Sequence, residues 1–255
     1  IVADYKKKYK AKIPLIAVVT DFHPHRFWVH SSVDRYVVAS QEAKQTLIKE
    51  GVDSDKIFIF GIPISIKFMG SSDREEIAKK FGFFPRLKAV LVMGGGLGIG
   101  PIEEIIANLD RLDYDFQIIG VCGKNRILYR KLEKIKKKTK KPLFVFSYIE
   151  CIDKIMDFCD IIITKAGGVT IAEALCKKLA IIIAKPIPGQ EELNVDFLIR
   201  KKAVIKTDDF AQINKSVAEL IKNPDKLNFF KKSAGKTSLG NSSAQIADLV
   251  LERIQ

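Results

Sequence analysis

The stretch at residues 89–101, AVLVMGGGLGIGP, places five apolar residues directly before a run that contains five glycines. The apolar half is typical of a buried strand, and a segment of helical length follows at residues 101–109. Glycine lets the backbone turn sharply and approach a ligand, and free amides at a helix start attract phosphate. The stretch therefore predicts a strand, turn and helix with a phosphate site, whose candidate residues are Gly94, Gly95, Gly96 and Gly98.

Similar apolar segments recur along the chain, and polar segments of helical length separate them. The predicted strands are 13–20, 36–39, 56–60, 89–93, 116–122, 143–146, 160–164, 180–184 and 203–206. The predicted helices are 40–50, 73–81, 101–109, 125–138, 152–158, 170–177, 191–201, 211–222, 224–233 and 242–255. This alternation predicts an α/β fold with doubly wound parallel sheets.

The alternation is interrupted around residues 66–88, where Gly, Ser and Pro residues occur. Six predicted strands follow this interruption and three precede it, too few to cover a sheet on both faces. We therefore expect residues 1–67 to be the C-terminal half of an N-terminal Rossmann-like domain that is incomplete in this chain. Residues 68–87 would be a linker, 88–240 a ligand-binding domain, and 241–255 a C-terminal helix that packs back on the N-terminal domain. The chain starts at Ile1 without methionine, and we expect it to be a piece of a longer protein.

The charge of the chain favours anionic partners. Lys and Arg number 43 against 30 Asp and Glu, a net charge of +13, which suits nucleic acid, phosphorylated small molecules or an acidic membrane surface. Ten of the basic residues lie in residues 124–141, beside the single acid Glu133. The segment lacks the interleaved aromatic series of a base-stacking platform, which argues against nucleic acid. A solvated helix face and a patch for anionic membranes both remain open.

The four cysteines argue against a disulfide scaffold or a zinc ribbon, because no two of them form a Cys-x-x-Cys pair. A reducing compartment is expected. The apolar run at residues 179–184 is far shorter than the ~20 residues of a membrane-spanning helix. We expect a soluble protein, with contact to a bilayer left open.

Residues 164–174, TKAGGVTIAEA, form a second glycine site after a strand. Thr170 and Glu173 have the spacing of a capping box, which explains both residues without a ligand. A capping box does not explain Gly167 and Gly168 at a strand end, where a doubly wound sheet presents its ligand crevice. Two glycine turns in one sheet therefore indicate a ligand with phosphate and sugar parts.

Two familiar phosphate ligand classes fit poorly. A dinucleotide fold places a carboxylate at the end of the next strand, where this chain has Cys122-Gly123-Lys124-Asn125. A nucleoside-triphosphate loop ends in Gly-Lys-Ser or Gly-Lys-Thr, whereas this one ends in Gly100-Pro101. A third loop at residues 185–194, KPIPGQEELN, has polar side chains that suit sugar hydroxyls.

The three histidines, His23, His25 and His30, surround Trp28. A metal site is disfavoured because the segment offers no Asp or Cys ligand beyond Asp21. The favoured interpretation is a loop that lines a cleft or packs against further chain.

Seven motifs together resemble one family. They are Val19-Thr20-Asp21-Phe22, His25-x-x-Trp28-x-His30, Gly61-Ile62-Pro63, the loop from Gly94 to Gly98, Cys122-Gly123-Lys124-Asn125, Gly167-Gly168-Val169-Thr170-x-x-Glu173-Ala174 and Pro186-x-Pro188-Gly189-Gln190-Glu191-x-x-Asn194. In this order, over nearly the whole chain, they resemble the diacylglycerol glycosyltransferases. These comprise bacterial processive glucosyltransferases and plant monogalactosyldiacylglycerol synthases, which are related to the peptidoglycan lipid-intermediate N-acetylglucosaminyltransferase.

The resemblance implies a GT-B fold, in which two Rossmann-like domains face a cleft and the C-terminal one holds a UDP-sugar. It implies a role for each group of candidate residues. The loop from Gly94 to Gly98 and Thr170 would hold the UDP phosphates, Glu173 would bind the ribose hydroxyls, and the backbone around Tyr148 and Ile149 would contact uracil. Gln190 and Glu191 would bind the hexose, and the UDP-sugar site would also include Gly167, Gly168, Gly189 and Asn194. His25, Trp28 and His30 would lie on the acceptor side. No metal and no other cofactor is expected.

The chain departs from the family pattern at two points. Ala166 stands where the family usually has proline, a mild change. The family's glycine-rich loop with a histidine that activates the acceptor has no counterpart here. No catalytic base is identifiable, with His25 and His30 as weak candidates, and we expect the chain alone not to transfer sugar.

The expected function is transfer of a hexose from UDP-glucose or UDP-galactose to diacylglycerol or a glycosyl-diacylglycerol. The protein would act as a peripheral protein on the cytoplasmic face of an anionic membrane, without nucleic acid as a partner. Two alternatives are a lipid-linked N-acetylglucosaminyltransferase and a non-enzymatic UDP-sugar sensor.

Overall fold

The computed structural model describes residues 1–186 and 189–252, so Ile187 and Pro188 of the third loop and the last three residues lie outside the described residues. The chain divides into two compact units, the first made of Ile1–Ile66 and Ser238–Gln255 and the second of Lys67–Thr237. Each unit has a parallel sheet and accompanying helices, so the predicted α/β class is confirmed. No helix in the described part of the chain is long and apolar enough to cross a membrane.

The elements follow one another in chain order. The strands are β1 (Ile16–Val18), β2 (Arg35–Val38), β3 (Ile57–Ile59), β4 (Lys88–Met93), β5 (Phe116–Val121), β6 (Leu143–Phe146), β7 (Ile161–Thr164), β8 (Ala180–Ala184) and β9 (Val204–Thr207). The helices are α1 (Val2–Lys8), α2 (Gln41–Lys49), α3 (Arg74–Phe81), α4 (Ile102–Leu109), α5 (Arg126–Lys136), α6 (Ile152–Phe158), α7 (Gly168–Cys176), α8 (Gln190–Arg200), α9 (Phe210–Lys222), α10 (Pro224–Thr237) and α11 (Ser242–Leu251).

The first unit contains a parallel sheet in the order β1-β2-β3. Its core joins the sheet to α2, with Tyr36, Val38 and Leu47 fully buried. Helix α11 belongs to this unit, and the Ser243 hydroxyl donates a hydrogen bond to the Ile64 carbonyl at 2.6 Å.

The second unit contains a six-stranded parallel sheet in the order β6-β5-β4-β7-β8-β9. Its inner strands are buried almost throughout because helices cover both faces, which is why they read as continuous apolar runs. The chain winds outward from β4 first through β5 and β6, then returns to β7 and continues through β8 and β9. The strand order reverses between β4 and β7, and ligands bind at the carboxyl ends of strands at such a switch point.

A charged cluster closes the opposite, amino edge of this sheet. The Asp160 carboxylate, whose side chain is 6% exposed, lies just before β7 and pairs with Arg74 at 3.4 Å and Lys231 at 3.5 Å. It also accepts a hydrogen bond from the Ala89 amide at 3.1 Å. The Arg74 guanidinium donates to the Leu87 carbonyl at 2.9 Å, so α3 is held against the starts of β4 and β7.

Helix α1 and strand β1 differ from the expectation from sequence. Helix α1 was not predicted, because it buries none of its residues and therefore shows no apolar periodicity. Strand β1 covers only Ile16–Val18 of the predicted 13–20. Pro14, which has no N–H to donate, lies ahead of its start.

Candidate functional site

The glycine turn, residues 94–100, joins β4 to α4 and packs against the turn after β5. A Cβ on Gly94 would lie 1.9 Å from the Ile99 carbonyl oxygen, and a Cβ on Gly98 would lie 1.9 Å from the Cys122 carbonyl oxygen. Gly98 also has a φ of +62°, in the left-handed region. Glycine at these two positions is therefore required by close packing of backbone on backbone.

The other predicted glycines of this turn, Gly95 and Gly96, face a cavity of about 260 Å³ at the carboxyl edge of the sheet. The lining of this first cavity is Met93, Gly95, Gly96, Val121, Gly123, Tyr148, Ile149, Ile152, Val169, Thr170 and Glu173. The structure thus brings together six of the residues predicted from sequence, contributed by the turns after β4 and β6 and by the start of α7.

Helix α7 presents its first turn to the first cavity. The helix begins at Gly168 with Gly167 as its N-cap. The alternative interpretation of Thr170 and Glu173 as a capping box is therefore wrong, because Thr170 is the third residue of the helix rather than its cap. The Thr170 hydroxyl lies 3.7 Å from the position of a Cβ on Gly95, so the helix start adjoins the glycine turn. Unpaired N–H groups and the positive end of the helix dipole suit a phosphate group at this place.

Glu173 lies one helical turn after Thr170 and lines the same cavity. Its carboxyl group makes no hydrogen bond or ion pair within residues 1–186 and 189–252. Burial raises the pKa of Glu173 to about 7 from its ordinary value of 4.5, because the low-dielectric surroundings disfavour the charged form. A half-buried carboxyl group without a protein partner is a suitable acceptor for hydroxyl groups of a ligand.

Tyr148 and Ile149 form the wall of the cavity that follows β6. The Tyr148 side chain is 57% exposed, and the Lys124 ammonium lies 5.9 Å from its ring centroid. Ile149 and Ile152 add apolar surface beside the ring. These side chains offer flat, apolar contact to a planar group such as a nucleobase.

A second cavity, of about 230 Å³, lies beside the first and shares Met93 with it. Its lining is Val92, Met93, Ile99, Gly100, Pro101, Ile102, Ile105, Ile163, Thr164, Lys165, Ala184, Lys185 and Glu191. Of the residues predicted at the hexose, Glu191 lines this cavity. The Thr164 hydroxyl is buried and has no hydrogen-bond partner within the described ranges. The second cavity is therefore largely apolar, with polar groups from the ends of β7 and β8 and the start of α8.

Three further residues of the third loop were predicted to belong to the site, and they lie in the first turns of α8 or just before it: Gly189, Gln190 and Asn194. Gln190 is the first residue of the helix, and Gly189 before it has a φ of +103°, which favours glycine. Asn194 was predicted as a ligand residue but is only 1% exposed. Its amide donates to the Ala166 carbonyl at 3.5 Å, so it connects α8 to the turn after β7 instead of lining either cavity.

The sequence reasoning missed Gly123 and Lys165 as residues of the site. Gly123 follows β5 by two residues, and a Cβ there would lie 2.4 Å from the Gly96 carbonyl oxygen. Lys165 is the first residue after β7. Both stand at the carboxyl end of a parallel strand, and that position is the signal that identifies them.

The predicted acceptor residues lie in the first unit, where the two histidines have local backbone partners. His25 caps a short 3₁₀ turn, and its Nδ1 accepts a hydrogen bond from the Phe27 amide at 3.2 Å. His30 Nδ1 accepts from the Ser32 amide at 3.1 Å, and its Nε2 lies 3.3 Å from an Asp4 carboxylate oxygen. Trp28 is 42% exposed. These contacts order the loop after β1 and leave the Trp28 ring accessible.

Two family models match the chain. The model of monogalactosyldiacylglycerol (MGDG) synthase matches residues 2–64, and the model of the glycosyltransferase family 28 C-terminal domain matches residues 89–250. The first match covers most of the first unit, and the second covers the sheet that carries both cavities.

Curated relatives are similar along the whole chain. A processive diacylglycerol beta-glucosyltransferase of Bacillus licheniformis is 35% identical over 254 residues, which are 99% of this chain and 66% of that protein. The protein of the same name from Bacillus subtilis is 35% identical over 253 residues, again 99% of this chain and 66% of the relative. The chain thus spans just under two thirds of the length of these relatives.

Solved structures share the fold at low sequence identity. MurG of Acinetobacter baumannii has a TM-score of 0.68 at 15% identity, covering 98% of this chain and 76% of that one. Anabaena HepE, in a complex with UDP-glucose, has a TM-score of 0.63 at 14% identity, covering 98% of this chain and 75% of that one. These likenesses confirm the predicted GT-B fold class. With the family model matched across residues 89–250, the chain belongs to glycosyltransferase family 28 through its C-terminal domain.

Proposed function

We propose that the chain binds the nucleotide part of a UDP-hexose in the first cavity, and that the protein transfers the hexose to diacylglycerol or a glycosyl-diacylglycerol. The observation that carries the proposal is the meeting of Gly95, Gly96, Thr170 and Glu173 at one cavity of the switch point. The four residues supply backbone amides, a hydroxyl and a carboxyl group, which match the parts of a nucleoside diphosphate.

The cavity suggests one arrangement of the ligand. The diphosphate would lie against Gly95 and Gly96 and the first turn of α7, where N–H groups are available. The ribose hydroxyls would donate to the Glu173 carboxylate. The uracil ring would lie against Tyr148 and Ile149.

The proposed reaction exchanges one bond for another at the anomeric carbon. The acceptor hydroxyl oxygen forms the new bond and gives its proton to a base or to water. The bond between the anomeric carbon and the β-phosphate oxygen breaks, and its electron pair stays with UDP. Amide donors at the glycine turn and the α7 start would stabilise the charge that develops on UDP, in the manner of an oxyanion hole. We propose that this chemistry needs no divalent cation.

The donor and acceptor are inferred from the relatives. The Bacillus relatives are named diacylglycerol beta-glucosyltransferases, which favours glucose over galactose as the transferred hexose and diacylglycerol as the acceptor. Turnover of labelled UDP-glucose by the complete gene product, with diacylglycerol vesicles as acceptor, would support a transferase. Donor binding without turnover would support a UDP-sugar sensor.

We further propose that α5 and the residues after it contact an anionic membrane surface. Nine of the ten basic side chains in residues 124–141 are exposed. The tenth, Lys141, donates to the backbone carbonyls of Leu112 and Tyr114 at 2.6 and 2.9 Å. The concentration of positive charge on one surface is the observation that supports this contact.

The donor site is tested by isothermal titration calorimetry of the chain with UDP. We expect Glu173→Ala to weaken UDP binding by about tenfold or more, because hydrogen bonds to a charged group contribute roughly 1.5–3 kcal/mol. Glu76→Ala, which removes an exposed carboxylate on α3, is the control and should leave UDP affinity unchanged. Absence of UDP binding, or equal affinity in wild type and Glu173→Ala, would contradict the assignment. Equal affinity in EDTA and in magnesium is expected.

A further inference from the structure

Lys165 occupies the boundary between the two cavities. It is half-buried, follows β7 directly and lines the second cavity. Its Cε lies 3.8 Å from the position of a Cβ on Gly95 and 3.6 Å from that of a Cβ on Gly167. The side chain therefore runs between the glycine turn and the start of α7, the two elements that adjoin the first cavity.

The charge of Lys165 has no counter-charge among the residues that the structure describes. In the ranges 1–186 and 189–252, its ammonium makes no hydrogen bond, ion pair or cation–π contact. Two other half-buried lysines of the same unit, Lys177 and Lys231, have carboxylate partners. The Lys177 ammonium lies 2.8 Å from an Asp157 carboxylate oxygen, and that of Lys231 lies 3.5 Å from the Asp160 carboxylate.

A half-buried charge without a partner is unfavourable, because it loses hydration and gains no counter-charge. Its retention at a ligand site is explained when the counter-charge comes from the ligand. A nucleoside diphosphate in the first cavity would bring two or more negative charges to the glycine turn, beside which the Lys165 stem lies.

We propose that Lys165 is a further catalytic residue, whose ammonium pairs with the diphosphate of the bound UDP-sugar and with the UDP that departs. This inference rests on the proposed function and adds a cation to the amide donors described above. When the bond from the anomeric carbon to the β-phosphate oxygen breaks, the electron pair remains on that oxygen and UDP gains one negative charge. A fixed cation at this point stabilises the charged product more than the uncleaved donor, which is the condition for an effect on rate.

The test compares the affinities of UDP and uridine in the same variants. Lys165→Met keeps most of the side-chain length but removes the charge, and Lys165→Arg keeps the charge. Lys232→Met, on the exposed side of α10, is the matched control for loss of one positive charge. We expect Lys165→Met to weaken UDP binding about tenfold or more while uridine affinity stays within about twofold, because uridine has no phosphate. Arginine should restore most of the UDP affinity, and the control should change neither ligand.

The salt dependence of UDP binding is the second readout. Wild type should lose UDP affinity more steeply with added salt than Lys165→Met, because one ion pair fewer is screened. Equal UDP affinity in wild type and Lys165→Met, or a parallel loss for uridine, would overturn the role of Lys165 alone. Failure of the wild-type chain to bind UDP would overturn the proposed donor site together with this inference.

Discussion

Glu173 shows how a single residue can be unfavourable for the fold and useful for a ligand. Burial raises its pKa to about 7 from 4.5. Between these pH values the folded state binds the proton more tightly than the unfolded state. The free energy of unfolding must therefore fall as pH rises from about 4.5 to about 7, with most of the change complete above the folded pKa.

Glu173→Gln should remove this dependence. At about pH 8 we expect the variant to be more stable than wild type by a few kcal/mol, because a neutral amide avoids the desolvation of the carboxylate. At about pH 4 the two proteins should differ little. Urea unfolding across this pH range measures the effect, with the exposed Glu76→Gln as control. If the difference in free energy of unfolding between Glu173→Gln and wild type were the same at every pH, the pKa of Glu173 would not be raised by folding.

At the scale of elements, the turns after β4 and β5 form one packed unit. The Lys124 amide donates to the Gly96 carbonyl at 2.9 Å, and the Asn125 side-chain amide donates to the Gly98 carbonyl at 3.2 Å. The glycines of the first turn therefore have two kinds of role. Gly94 allows the turn to close on Ile99 and Gly98 allows it to pack against the turn after β5, whereas Gly95 and Gly96 leave room in the cavity.

Alanine substitutions should separate these roles. Gly98→Ala combines a left-handed φ with a Cβ placed 1.9 Å from the Cys122 carbonyl oxygen. We expect it to lower the free energy of unfolding by about 3 kcal/mol, through strain and displacement of the β5 turn. Gly96→Ala meets no described atom within 4 Å, so it should keep its stability and lose UDP affinity. Differential scanning calorimetry and UDP titration distinguish them, and the opposite pattern would refute this division of roles.

At the scale of the molecule, the charged cluster around Asp160 and the cavities lie at opposite edges of one sheet. Asp160→Ala leaves Arg74 and Lys231 without their carboxylate. We expect a loss of about 3–5 kcal/mol in the stability of the second unit, as when one partner of a buried ion pair is removed. UDP affinity well below the melting temperature should be unchanged. Asp208→Ala breaks an exposed pair with Lys206 and should change stability by less than about 1 kcal/mol. Equal effects of the two variants on the urea midpoint would contradict the expectation.

The exposed basic residues of α5 are expected to determine how tightly the protein binds an anionic membrane. Arg130, Lys134 and Lys137 are exposed and lie on one face of α5 and its end. Replacing all three with glutamine should weaken binding to vesicles rich in anionic lipid by about a hundredfold at low salt, at about 1 kcal/mol for each residue. Vesicle sedimentation measures the effect. The triple variant Lys79→Gln, Lys80→Gln, Lys232→Gln is the control for net charge. Binding that was indifferent to anionic lipid, or equally weak in both variants, would contradict the proposed membrane contact.

Much of this architecture could be predicted from sequence because parallel strands buried on both faces must be continuously apolar. The segment at 180–184 was predicted with its observed bounds. Helix α1 could not be predicted in this way, since it packs no apolar face. The start of α7 was predicted two residues late, because the spacing of Thr170 and Glu173 fits a capping box, whereas the backbone enters the helix at Gly168.

By itself, the sequence determined the α/β class and which turns lie at the carboxyl edge, because apolar runs and glycine turns depend on local chemistry. Only the tertiary structure decided which residues of those turns pack against other backbone and which line the cavities. It shows that Gly94 and Gly98 are needed for close backbone packing, whereas Gly95 and Gly96 line the first cavity. It also shows that Asn194 is buried behind the site and that Lys165 lies between the two cavities. These distinctions depend on distances between residues far apart in the chain, such as Gly98 and Cys122, which no local pattern encodes.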